Sequence, residues 1–212
     1  MILSLCIQAC AQNKGKLFMR TNYFSSQLNI SWLYFYDETT LIVNPVFGIN
    51  PVDLNKEMQY NKKNIAKYKA VGNKMDLSWG DGRKMTINVE YTKGILSAFD
   101  GGGCLLAEPF QANALHNKVY FGLASAGPVT RTATIRFASN GTFEMNKLGA
   151  VAGKDNFVGV ATAGNDKKGT YTIKGNTIHF KFSDGTSWIA LAQPFDMGKD
   201  EIIINDQLFK KQ

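Results

Sequence analysis

A cysteine placed directly after three glycines, Cys104 behind Gly101, Gly102 and Gly103, with His116 close downstream, is the pairing in this chain that has the residue types of nucleophilic catalysis. A thiolate attacks an electrophilic carbon when a neighbouring base or positive field keeps it deprotonated. No carboxylate is tied to the pair by spacing, and Leu105 and Leu106 read as the start of a buried strand, so these residues favour a packed apolar thiol. A hydrolase built on Cys104 is the one concrete enzymatic reading. Asp81 and Asp184 stand at matching places and invite a pair of carboxylates. Each precedes a glycine, where an aspartate serves its own backbone in a turn, and that structural account is the stronger. With 2 histidines, 3 cysteines and no Cys/His pair at ligand spacing, no zinc site is expected, and His179 falls on the polar face of a strand. The glycines at 101–103 do not lead from a strand into a helix, the context that phosphate binding needs. No catalytic residue, metal or cofactor is assigned.

The elements that must position these groups are β-strands written twice. Tyr68, Gly72, Asn73, Asp81 and Gly82 recur as Tyr171, Gly175, Asn176, Asp184 and Gly185 at a constant offset of 103 residues. Leu17 to Phe35 aligns with Val119 to Phe137 at an offset of 102, which a single insertion in the intervening loop explains. Each copy holds a three-stranded meander: Lys67 to Val71, Lys74 to Trp79 and Arg83 to Tyr91 in the first, Thr170 to Lys174, Thr177 to Phe182 and Thr186 to Ala192 in the second. Gly-Asn and Asp-Gly at the turns supply the positive φ that tight hairpins demand. Met75, Leu77 and Trp79 alternate with Asp76 and Ser78, and Ile178, Phe180 and Phe182 with His179 and Lys181, so one face is core and the other wet. Trp188 to Ala192 is apolar on both faces and is expected to be covered on both sides.

The copies differ in their insertions. Asn50, Pro51 and Asp53 predict a helix start with Asn50 as cap, running to about Lys62. The counterpart, Lys147 to Asp166, reads as a loop with a short strand around Phe157 to Ala161. Asp37-Glu38 replaces the better turn pair Asn140-Gly141 and predicts a longer or looser hairpin in the first copy. The expected organisation is a leader at 1–11, a β unit at 12–93, a connecting segment at 94–117 and a second β unit at 118–212. The fold class is all-β, with two tandem antiparallel meander units forming two small barrels or one larger closed sheet.

Composition bounds the setting. The 212 residues are 44% hydrophobic and 19% charged, long enough to bury a core without staples. No apolar run reaches the roughly 18–20 residues of a membrane-spanning helix. Met1 to Gln12 reads as the end of a secretory signal, with Ala9-Cys10-Ala11 as the cleavage site. Ile7-Gln8-Ala9-Cys10 also reads as a lipobox, which makes Cys10 a lipid anchor. Residues 1–7 as a buried first strand is the third reading; the first two export the protein, leaving Cys104 as the thiol of the mature chain once Cys6 and Cys10 serve the leader. The formal charge is +7, but the lysines are interleaved with acids, arginine is scarce and no recognition motif accompanies them, so nucleic acid is not an expected partner.

The order of features in each unit is an aromatic strand, a polar turn followed by Thr, a variable insertion, then Tyr-x-x-x-Gly-Asn and an apolar strand closed by Asp-Gly. It resembles that of secreted bacterial lipocalin-like β-barrel domains, over most of residues 16–196. The Gly-x-Trp of the lipocalin first strand has no counterpart, since the nearest tryptophan, Trp32, follows Ser31. The resemblance implies a barrel or half-barrel with an apolar interior for a small hydrophobic ligand.

Phe35, Tyr68, Trp79, Phe137, Tyr171, Phe182 and Trp188 are then either a ligand-binding set or barrel filling, and small barrels are usually filled by their own side chains. The leading functional expectation is an exported, non-catalytic binding protein for a small apolar or amphipathic ligand. The alternative is a cell-envelope or surface module that recognises glycan or protein through its divergent loops, with no cavity.

Overall fold

Glycines in the left-handed region close the turns that the two copies share: Gly72 at φ 60° and Gly82 at φ 93° in the first, Gly175 at φ 58° and Gly185 at φ 85° in the second. A β-carbon is disfavoured at such angles, which is why glycine recurs there while the strand residues change. In this computed structural model the described residues are 13–24, 27–126, 129–146, 167–195 and 200–212. The expected leader with Cys6 and Cys10, and the second insertion with its expected strand at Phe157 to Ala161, lie outside the described residues.

The first unit is a closed antiparallel barrel of eight strands in sequence order. They are β1 (Leu17–Phe24), β2 (Gln27–Phe35), β3 (Thr40–Val43), β4 (Ile65–Val71), β5 (Lys74–Trp79), β6 (Lys84–Thr92), β7 (Ile95–Phe99) and β8 (Gly102–Leu106). Pairing of Phe18 with Leu106, through to Thr21 with Gly103, closes β1 onto β8. The second unit repeats the plan with β9 (Lys118–Ala126), β10 (Val129–Phe137), β11 (Thr142–Asn146), β12 (Lys167–Lys174), β13 (Thr177–Phe182), β14 (Ser187–Pro194), β15 (Glu201–Ile204) and β16 (Gln207–Lys211). Phe209 against Gly122 closes it. Closure removes the open sheet edges that a flat meander would expose.

The chain therefore forms two barrels, and the single larger sheet is excluded. The segment 94–117, expected as a connection, is not one. It carries β7 and β8, which complete the first barrel, and the units divide between Ala107 and Glu108. Leu96 and Phe99, three positions apart, are both buried because the β6–β7 register shifts between Glu90 and Tyr91, which breaks the alternation that would have marked the strand. Residues 108–117 belong to the second unit, where Phe110 bridges to Gly175 and the Asn176 side chain donates to Glu108 O at 2.7 Å. The basic run Lys210-Lys211 belongs to a strand, β16.

Two further expectations are corrected. The helix, α1 (Leu54–Tyr60), starts after Asp53 rather than Asn50, because the Asp53 carboxylate accepts from Lys56 N at 3.0 Å and so caps the first turn. The hairpin at Asp37-Glu38 is no longer than its counterpart: Tyr36 N donates to Thr40 O, and Ala138 N to Thr142 O. Asp37 accepts from Thr39 N at 2.7 Å and from both neighbouring threonine hydroxyls at 3.0 Å, the service that Asn140 gives Thr142. Along β14, Ala190, Leu191 and Ala192 are all buried, as its two apolar faces predicted, while Ile189 is half-buried.

Candidate functional site

Inward-facing side chains fill both barrels. Three of the seven aromatics singled out by the sequence lie in the first barrel and four in the second, so they form two cores rather than one shared site. Phe35 and Phe137 are fully buried. Each meets its tyrosine edge-on, Phe35 with Tyr68 at 5.3 Å and Phe137 with Tyr171 at 4.8 Å between centroids. The buried hydroxyls are satisfied by the adjoining turn, Tyr68 donating to Asp37 O at 3.1 Å and Tyr171 to Ala138 O at 3.2 Å. Phe182 packs on Phe143 at 5.4 Å, and Trp188 stacks on Phe180 at 4.9 Å. Trp79 and Trp188 stay half-buried at the rims, with the Arg83 guanidinium 5.2 Å over the Trp79 ring. An eight-stranded barrel is just wide enough for such a filling. The set of seven left out Phe18, Phe143 and Phe209, all fully buried, and Phe180, which the alternation had already placed on the core face.

The barrels differ where β1 meets β8. Arg20 and Cys104 oppose each other in the first, and Gly122 and Phe209 occupy the same places in the second. Arg20 donates from Nε to Phe99 O at 2.8 Å and from its terminal nitrogen to Asp100 O at 3.1 Å. A β-carbon on Gly122 would stand 2.6 Å from the Phe209 ring, so the glycine is the space that this ring needs. Bulk has moved from one strand to its partner, which keeps both interiors packed.

Cys104 is a core thiol. Desolvation pushes its pKa up to about 12, against a smaller opposing effect of Arg20. His116 belongs to the second unit, where its ring meets Tyr171 edge-on at 6.4 Å. We expect iodoacetamide at pH 8 to leave Cys104 unmodified until denaturant unfolds the first barrel; alkylation of the folded protein within minutes would mean an accessible thiolate. Asp81 accepts from Arg83 N at 3.1 Å and Arg83 Nε at 2.6 Å, and Asp184 accepts from Thr186 N at 2.9 Å. Hydrogen bonds from the second residue after each aspartate hold both carboxyls below their usual range, in turns of separate barrels rather than in a catalytic pair. His179 is exposed on β13. Among the described residues, no group of three or more His, Cys, Asp or Glu side chains is placed to hold a metal ion. A shallow groove of about 420 Å³ lies against Asp200, Glu201, Lys210, Lys211 and Gln212. Its charges pair off, Lys210 with Glu201 at 2.8 Å and Lys211 with Asp200 at 3.4 Å.

The surface with unused contact chemistry is one end of the first barrel. In an up-and-down barrel alternate connections share an end, so β1–β2, β3–β4, β5–β6 and β7–β8 all turn there. The β3–β4 connection, residues 44–64, is the longest of the four and is braced from inside. Glu57 on α1 is fully buried: its Oε1 accepts from Val46 N at 2.7 Å and Phe47 N at 2.9 Å, and its Oε2 from Asn61 Nδ2 at 2.8 Å. Burial raises the Glu57 pKa, opposed by the bonds from Phe47, Asn61 and Val46. Trp32 N donates to the Asn44 side chain at 2.7 Å, tying the segment to β2.

This brace presents apolar groups outward. Tyr60 is 63% exposed with its ring 5.7 Å from Phe47, and Met58 and Val46 are exposed beside them in the segment. The β1–β2 hairpin adds Tyr23, 78% exposed, paired across the strands with Leu28. None of these was singled out from the sequence, because an exposed aromatic and a core aromatic look alike until burial is known. No helix among the described residues is long and apolar enough to cross a membrane. Comparison of the chain with protein-family models, with curated proteins and with solved structures finds no match.

Proposed function

We propose that this chain is a non-catalytic binding protein that takes an apolar or amphipathic partner on the loop end of its first barrel, with both barrel interiors serving as packed cores. In this reading it is an exported, lipocalin-like protein that works at the cell envelope. The observation that carries it is the contrast between the inward aromatics, closed off by one another, and Tyr60, Met58 and Val46, held outward by the segment that Glu57 braces. Large apolar side chains left exposed on a buttressed loop mark a contact surface.

Trp79 lies at this end and reports on it. Titration with a monomeric amphiphile such as lysophosphatidylcholine shifts tryptophan emission in the wild type, and the shift is absent in Trp79→Phe and weakened in Tyr60→Ser/Met58→Ser. An undiminished response in the double variant would return the ligand to the barrel interior, and no response to a broad amphiphile panel would remove the proposal. The Tyr60 and Phe47 rings also favour a second reading, in which an aromatic face stacks on the apolar face of a sugar. Glycan-array binding that disappears on deleting residues 45–64 would support that reading.

A further inference from the structure

We infer that the partner of this end is an anionic lipid surface, met end-on by the first barrel. The inference rests on the functional reading above and names its partner.

The first ground is reach. β8 pairs with β1 only as far as Thr21, and β3 pairs with β2 only from Leu33, so the paired strand ends Asn22–Phe24 and Gln27–Asn29 run on beyond both ladders. Three extended residues span about 10 Å, comparable with the depth at which interfacial segments sit. Tyr23 and Leu28 ride on this projection, and Tyr60, Met58 and Val46 stand on the connection at the same end. Tyrosine is suited to the place, with an apolar ring and a hydroxyl that stays wet.

The second ground is charge. In a chain of net charge +7, residues 21–36 carry no charged side chain at all, so the projecting hairpin brings no ion to be desolvated. At this end Lys62 and Lys63 precede β4 and Lys84 opens β6. Of the acids of this end, Glu57 is buried, Asp53 caps α1 and pairs with Lys56 at 3.6 Å, and Asp81 holds Arg83 at 2.6 Å, while Asp100 stands exposed on the β7–β8 turn. Uncharged aromatic fingers rimmed by cations complement a bilayer whose surface is negative. Among the described residues, the opposite end exposes Val71, Ile95 and Leu106 but no aromatic among its exposed large apolar residues, so it provides an internal control.

The test is co-sedimentation of the full chain with vesicles of phosphatidylcholine alone and of phosphatidylcholine with phosphatidylglycerol, at low and high salt. We expect binding to the anionic vesicles only, weakened by salt, reduced about tenfold or more by Lys62→Glu/Lys63→Glu. Tyr23→Ser/Tyr60→Ser reduces it similarly, and Val71→Ser/Ile95→Ser leaves it unchanged. Absence of vesicle binding, or binding that survives both loop-end variants, overturns the inference. If vesicles are ignored while lysophosphatidylcholine still shifts Trp79 emission, the lipid-surface partner falls and the functional reading stands; if neither responds, both fall.

Discussion

Phe137→Ala lowers the stability of the second barrel by about 3–5 kcal/mol, the range for deleting a large aromatic from a packed core. Phe137 is fully buried and touches Tyr120, Tyr171 and Phe180 at centroid distances of 6.2, 4.8 and 6.2 Å. Its loss removes the ring that all three pack against. It also loosens Tyr171, whose hydroxyl bond to Ala138 O closes the β10–β11 turn. The measurement is urea unfolding, with amide exchange read over β9 to β14. A change under about 1 kcal/mol would mean an interior that collapses freely or already holds space, and the packed-core account of both barrels would have to be given up.

Glu57→Ala has the second-largest expected effect, about 2–4 kcal/mol, from leaving Val46 N, Phe47 N and the Asn61 amide without their shared acceptor. The damage is local, so limited proteolysis cuts within residues 44–64 before the barrel unfolds. Amphiphile binding at the loop end falls in parallel, because Tyr60 and Met58 lose their support. Protease resistance equal to the wild type would show that the carboxylate does not brace the segment. Burial raises the Glu57 pKa, so the folded protein binds this proton more tightly than the unfolded chain. The stability it contributes is therefore fully present below the unfolded value and is lost as pH rises through the folded value. Glu57→Gln, which has no proton to lose, lacks that step in its stability–pH curve.

Much of the barrel plan could be read from residue order. Gly72, Gly82, Gly175 and Gly185 announced their turns, and the alternation through Met75, Leu77 and Ile178, Phe180 announced which faces are inward. The seven aromatics marked in advance all lie in the two cores or packed against them. The loop-end surface was a different matter. The divergent 44–64 connection stood out as a place to look, but nothing in its letters separated Glu57 from a solvated acid or Tyr60 from a core ring.

Alternation and turn chemistry act between residues a few positions apart, and such short-range preferences leave a period that one chain displays and its duplication displays twice. Closure is a long-range event. Phe18 must find Leu106, and Phe121 must find Lys210, with no period linking the members of either pair. The same holds for the exchange of Arg20 and Cys104 for Gly122 and Phe209, where each residue's size makes sense only beside the one it faces across the seam. Whether an apolar side chain is core or contact surface is set by what three-dimensional packing leaves uncovered, and so Phe35 and Tyr60, alike in kind, came to opposite roles.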